Sequence, residues 1–339
     1  MSGALVAMPS VVFDDGEPTV PAPTESERLA AQLVDDAQIL TRPAPAEVVE
    51  GRLLAGSTLM LFGAAGVGKT FLATGLSLSV ASGQSWLGAR VLTGGGPVVY
   101  VAGEGLAGFS RRIHAGKAAL RLPLETAVGL YILGQGIDLM SGLSVEVFLR
   151  ALDRIGPALI VFDTLARNML GDDSSAADVS RVVASLDRIG RETGAMRLVL
   201  HHATKAGGVE RGSTALRGAV DTMLSLTLVD DLLTLACEKQ KDAEPFEPIA
   251  LRLVPVAETS SCVIRLARDV LSSDDLTIGQ GRVLEVLQTQ YFADGATAKE
   301  LQASAPGVPH ATLYRALKEL CRRGLVQKRG PRFTACGGE

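Results

Sequence analysis

From Leu59 onward the chain alternates short aliphatic runs with stretches whose apolar residues recur at helical spacing, which predicts a mainly parallel sheet covered by helices. The predicted strands are TLMLF (58–62), PVVYVA (97–102), LYIL (130–133), ALIVFD (158–163) and MRLVLHH (196–202), and helices follow the first and fourth most clearly. Beyond Asp221 the segments TMLSLTLVDDLLTLACEKQKD and PIALRLVPV…CVIRLA alternate in twos, as antiparallel strands extending the sheet would. The fold class is α/β. No internal repeat is visible.

Two regions depart from this texture. Residues 1–45 are rich in Pro, Ala and acidic residues, with one short helix around TESERLAAQLVDDAQIL, and read as a mobile arm before a main domain at 46–270. Residues 274–335 read as three helices (TIGQGRVLEVLQTQYF, ATAKELQAS, PHATLYRALKELCRRG) and a hairpin (LVQKRGPRFTA), the order of a small winged helix-turn-helix. Ala311, Leu313, Leu317, Leu320 and Leu325 supply its apolar face.

At 339 residues and 47% hydrophobic content the chain can bury a sizeable core. With 33 Lys and Arg against 37 Asp and Glu, no global positive field advertises a polyanion, so any nucleic-acid surface must be local. The four cysteines form no C-x-x-C pair, which speaks against a zinc knuckle or a disulfide framework and for a reducing cytoplasm. The first residues lack the basic-then-apolar order of a signal peptide, and no run reaches membrane-spanning length. A cytoplasmic protein without a membrane partner is expected.

GAAGVGKT, from Gly63 to Thr70, fits G-x-x-x-x-G-K-[ST] and lies between a predicted strand and a predicted helix, as phosphate binding requires. Gly63, Ala64, Ala65, Gly66, Val67 and Gly68 would wrap backbone amides around phosphate oxygens. Lys69 would reach the terminal phosphates of ATP, Thr70 would offer its hydroxyl to Mg²⁺, and Phe71 follows in the helix. In a doubly wound sheet the ligand lies at the carboxyl ends of the strands, so other strand ends can share the site. Asp163 ends LIVFD and could hold the metal. Glu104, in VVYVAGEG, suits a general base that orients water. LVLHH ends in two histidines that face opposite sides, and His202 is the expected phosphate sensor, with His201 a packing residue.

On these motifs, together with ERGSTALRGAVDTMLSL, the double histidine before Thr-Lys, and CEKQKDAEPF, residues 45–265 resemble the RecA-like ring ATPases, most closely the RepA-type replicative helicases of plasmids and phages. The resemblance implies a RecA-like core with Glu104 as catalytic glutamate, Asp163 as metal-associated aspartate and His202 as γ-phosphate sensor. It implies that Arg211, and the basic pair Lys239 and Lys241, act on a neighbour's nucleotide. The protein would then be a homo-oligomer, a hexameric ring with single-stranded DNA in its pore. Pore loops would be 166–179 and 204–213, offering Arg167 and Lys205 besides Arg211, with few cations and no stacking aromatics.

Between Pro309 and Phe333, Arg315, Lys318, Arg322, Arg323, Lys328, Arg329 and Arg332 face only Glu319. This local basic patch suits DNA, with Thr312, Arg315 and Lys318 in a duplex groove and Lys328 and Arg329 on phosphates, although winged helices also dock proteins. Two functions follow as expectations: a Mg²⁺-dependent ATP-hydrolysing DNA helicase, or an ATP-gated DNA-binding regulator or loader whose phosphate-loop domain is an assembly switch. A small-molecule kinase would carry an Arg-rich lid that the sequence lacks.

Overall fold

The computed structural model of the chain describes residues 24–103, 105–202, 214–241, 243–270, 276–292 and 294–336, and it divides into Met1–Ala44 and Pro45–Glu339. In the first unit the single expected helix is two, α1 (Glu25–Ala30) and α2 (Asp36–Leu40). Each starts on its own capping box. Thr24 with Glu27, and Asp35 with Gln38, exchange side-chain and backbone bonds, so Asp35 restarts the helix instead of continuing it.

The second unit opens with the paired strands β1 (Glu47–Val49) and β2 (Leu53–Leu54). Next come β3 (Thr58–Gly63), α3 (Lys69–Ser82), β4 (Val98–Ala102), α4 (Phe109–Ala119), β5 (Leu130–Leu133) and α5 (Gly142–Leu152). They continue as β6 (Leu159–Asp163), α6 (Ala176–Thr193), β7 (Met196–His202) and α7 (Thr214–Ala219). The antiparallel series is β8 (Thr222–Val229), β9 (Leu232–Gln240), β10 (Ile249–Val256) and β11 (Ser261–Leu266), followed by the short α8 (Ala267–Val270).

Among the described residues these strands form one nine-stranded sheet, in the order β11-β10-β9-β8-β3-β7-β6-β4-β5. β8, β3, β7, β6, β4 and β5 are parallel, and β9 to β11 extend the β8 edge antiparallel. Asp221 sets the join: its carboxylate accepts the Thr58 amide at 2.8 Å and its own amide donates to the Thr58 carbonyl at 2.9 Å.

Period-two alternation divides the side chains between two apolar layers. Leu59 and Leu61, Val98 and Tyr100, Leu159 and Val161, and Leu198 and Leu200 face the layer of α3 and α4. Met60, Phe62, Val99, Val101, Ile160, Phe162 and Val199 face the layer of α5 and α6. By the same count Asp163 and His202 lie on the α3 face, whereas His201 is buried on the other.

The turn after β6 is held by a buried amide. Asn168 accepts the Ile137 amide at 2.8 Å and donates to the Thr164 carbonyl at 2.8 Å, which ties the chain leaving β6 to the segment before α5.

A third apolar cluster serves α9 (Ile278–Thr289), β12 (Ala296–Thr297), α10 (Ala298–Ser304), α11 (His310–Arg322), β13 (Val326–Arg329) and β14 (Arg332–Ala335). Three helices and a hairpin are present as expected, and β12 adds a third strand, in the order β12-β14-β13. Arg329 pairs with Arg332 across Gly330 (φ +57) and Pro331, a two-residue turn in which glycine supplies the left-handed residue. The buried face of α11 is Leu313, Ala316, Leu317 and Leu320. Ala311, expected there, is exposed, because helical spacing places it opposite Leu313 and Leu320.

Replacing Asn168 with Ala leaves the buried Ile137 amide unpaired. Chemical denaturation should show a loss of about 1–3 kcal/mol. A change within a few tenths would mean that another group holds this turn.

Candidate functional site

The candidate loop leaves β3 at its carboxyl end. Gly66 (φ +77) and Gly68 (φ +107) adopt left-handed backbone that a side chain resists, and this curls the chain from strand to helix within a few residues. Gly68 is the N-cap of α3 and has no side chain with which to bond the first helical amides, so these remain directed at the loop's concavity, where an anion is favoured. Lys69, 6% exposed, folds back across it. Its ammonium donates to the Gly63 and Ala64 carbonyls at 2.8 and 2.9 Å and lies 3.5 Å from His202 Nδ1.

Register brings the other strand ends alongside. Gly63 is paired with His202, and Ala102 with Asp163. Thr70 Oγ1 donates to Asp163 Oδ2 at 2.9 Å, joining the first turn of α3 to the end of β6. The Tyr100 hydroxyl donates to the same oxygen at 2.7 Å. Burial first, and the Asp163 carboxylate second, push the Tyr100 phenol well above its ordinary value, so it remains a protonated donor. Tyr100 packs edge-on against Phe109, with ring centroids 4.7 Å apart. Sequence reasoning overlooked this residue. The signal was available: within VVYVA, Tyr100 shares the strand face that leads to Asp163.

Thr70, Asp163, Lys69 and His202 therefore gather on one rim. Glu104, Lys205 and Arg211 lie outside the described residues, as does the whole of the second expected pore loop. Arg167 follows Asp163 in a short turn, and a Cβ placed on Gly103 would lie 2.5 Å from its own Cβ, so the Arg167 stem packs on the chain leaving β4. In the rest of the first expected pore loop, Asp172 accepts bonds from the Ser174 amide and hydroxyl and its own amide donates to Asp178.

The expected trans pair is engaged within its own chain. Lys239 donates to the carbonyls of Arg217, Gly218 and Val220 at 2.9, 3.1 and 2.6 Å, where it caps the end of α7, and Lys241 lies 3.7 Å from Asp221.

Phe71 opens a cavity of about 310 Å³ between α3, α4 and β11, lined also by Arg112, Trp86, Cys262 and Ile264. The Arg112 guanidinium stands 5.5 Å from the centre of the Phe71 ring. A second cavity, of about 420 Å³, lies between Gly63–Val67 and Ser225–Leu228.

On the C-terminal bundle Arg315, Lys318, Lys328 and Arg329 are exposed and form no ion pair among the described residues. Arg322 and Arg323 share Glu319, and Arg332 lies 3.5 Å from Glu300. Thr312 is half-buried, and a Cβ on Gly279 would lie 3.3 Å from its methyl. It therefore stands aside from the outward face, which carries Ala311, Arg315 and Lys318, with Tyr314 on its shoulder.

A hydroxyl and a carboxylate at 2.9 Å are hard oxygen donors of the kind Mg²⁺ prefers, so Thr70 and Asp163 fit that ion. Among the described residues no group of three His, Cys, Asp or Glu side chains could hold a metal, so such an ion would also need phosphate and water oxygens.

The mainly parallel sheet carries a phosphate-type loop after its central strand. A crystal structure of the RadB recombinase aligns with 62% of this chain and 90% of its own at 18% identity and a TM-score of 0.44. The family model described as an AAA domain matches residues 22–208, more than half of the chain, and the chain belongs to that family.

Proposed function

We propose that the protein is a Mg²⁺-dependent RecA-like ATPase that assembles into a ring and acts on DNA, a replicative helicase of the RepA type. The observation that carries the hydrolytic part is the meeting of Thr70 and Asp163 at 2.9 Å beside Lys69. The amides of Gly63–Thr70 cradle the phosphates and Lys69 places its charge on the terminal ones. Thr70 and Asp163 hold the metal, with Asp163 oriented by the Tyr100 hydroxyl. Bound Mg²⁺ would neutralise phosphate charge during hydrolysis. Glu104 orients the attacking water and takes its proton as ADP and phosphate form. His202, beside Lys69, reads whether the terminal phosphate is present. Phe71 and Arg112 offer a surface on which the base can stack.

Arg211 and Lys241 act across the subunit boundary. A cation supplied this way is worth on the order of 10³–10⁵ in rate, which makes a lone subunit nearly inactive. Lys239, occupied with the α7 carbonyls, supports them by fixing that helix end.

We read residues 46–270 as the ATPase domain, residues 1–45 as an arm, and 274–335 as a winged helix that binds duplex DNA. The third apolar cluster shares no member with the first two, which supports the division. The second reading is an ATP-gated regulator or loader. It is favoured by the charge distribution: Asp172 and Asp173 sit in the first expected pore loop, while Arg315, Lys318, Lys328 and Arg329, exposed and without an ion pair among the described residues, lie on α11 and the hairpin after it.

Single-stranded DNA should stimulate ATP hydrolysis by the wild type, and Glu104→Gln should lower turnover by about 10²–10⁴-fold. Equal turnover would remove the assigned base. Stimulation by single strands with displacement of a duplex strand selects the helicase, whereas tight duplex binding with little stimulation selects the regulator.

Tyr100→Phe removes one donor from Asp163. It should raise the Mg²⁺ concentration for half-maximal activity several-fold while leaving nucleotide affinity near wild type; an unchanged Mg²⁺ titration would mean that Thr70 alone orients the carboxylate. Mixing Lys69→Ala with Arg211→Ala subunits should restore part of the activity that each lacks, and no recovery would point to self-contained subunits.

A further inference from the structure

Along α11, Arg315, Lys318 and Arg322 are spaced three and four residues apart on the face opposite Leu313, Ala316, Leu317 and Leu320, so they form one cationic stripe. The last member differs from the others. Its Nε and Nη2 both donate to the Glu319 carboxylate at 2.7 Å, and its Nη1 stands 3.7 Å from Asp230.

Asp230 belongs to the core. It begins the two-residue turn between β8 and β9, with φ +52, and its side chain is 82% exposed. Glu319 also accepts Arg323 Nε at 2.6 Å. Asp230 is thus a second carboxylate beside Arg322, and without it the Arg322 Nη1 charge would be continuous with Arg315 and Lys318.

We propose that Arg322 is a further phosphate contact of the DNA-binding face of the C-terminal bundle, and that the core's Asp230 covers it until a DNA phosphate displaces the carboxylate. This rests on the reading that the bundle binds duplex DNA. The fork from Glu319 fixes the guanidinium and leaves Nη1 as the nitrogen that turns outward. Hydrogen bonds from Arg322, ahead of those from Arg323, hold the Glu319 carboxyl down at about 2, so the fork persists at any ordinary assay pH. At 3.7 Å and largely in solvent, the Asp230 contact is longer than a charge-assisted hydrogen bond and is open to competition from a phosphate oxygen. Gly324 (φ +69) keeps the hairpin tip nearby: a Cβ there would lie 2.8 Å from that of Ala250, so the end of α11 packs directly on β10. Exchange of partners at Arg322 then needs only a local move of the turn.

The test is anisotropy of a fluorescein-labelled, mixed-sequence duplex titrated with the full chain over a range of salt. Asn tolerates positive φ, so Asp230→Asn preserves the turn while removing the charge. It should tighten binding about two- to fivefold. The slope of log K against log salt should stay that of wild type in Asp230→Asn, because the bound state makes the same contacts, and should flatten by about 0.9 in Arg322→Gln, the loss of one phosphate contact. In an Arg322→Gln background the same substitution should change neither quantity. If Asp230→Asn binds no tighter than wild type, tightens binding equally without Arg322, or Arg322→Gln keeps the wild-type salt slope, this inference fails while the DNA reading stands. No duplex binding by either protein overturns both.

Discussion

A single carboxylate oxygen organises the site. Asp163 ends a strand 2% exposed, where an unpaired charge would be costly, and its Oδ2 receives both the Thr70 hydroxyl and the Tyr100 phenol. Those two donors come from α3 and β4, so satisfying one buried acid fixes the first turn of the phosphate-loop helix relative to two strand ends. Lys69 is held in the same frame, because its ammonium bonds the carbonyls at the end of β3 and sits beside His202 of β7. The chemistry on this rim is therefore pre-positioned by the same bonds that satisfy its buried polar groups.

The wider molecule separates two kinds of charge. At the strand ends Lys69 and Asp163 are buried and held by short bonds, as in a preformed site for a compact polyanion. On the C-terminal bundle Arg315, Lys318, Lys328 and Arg329 are exposed and form no ion pair among the described residues. Between them runs the antiparallel extension: Ile264 of β11 lies 3.6 Å from where a Cβ on Gly68 would sit, and Ala250 of β10 carries the end of α11. The strands that border the phosphate loop are thus neighbours of the strands on which the bundle rests.

Much of this was legible in the chain. The five strands predicted as parallel lie within a residue of their apolar runs: β3, β4, β6 and β7 are buried on both faces and so are written as continuous apolar stretches, and β5, at the edge, is partly exposed. The helices after β4 and β5 were less visible, since α4 is interrupted by Arg111, Arg112 and His114 and α5 is short. The N-terminal helix broke in two at an Asp that caps better than it propagates. Ala311 was misplaced because alanine is apolar enough to be counted with a buried face that geometry gives to Ala316.

By itself the sequence determined the phosphate loop, the run of strands and the candidates at their ends, because glycine spacing and two-residue alternation are local properties of a chain. Which of those candidates meet was decided only by strand order and register, which place Ala102 beside Asp163 and Gly63 beside His202 across gaps of many residues. The Tyr100 bond to Asp163, the capping of α7 by Lys239 and the contact of Arg322 with Asp230 were likewise settled in three dimensions. Hydrogen bonds and ion pairs depend on distances of a few ångströms between side chains far apart in sequence, and no linear spacing encodes them.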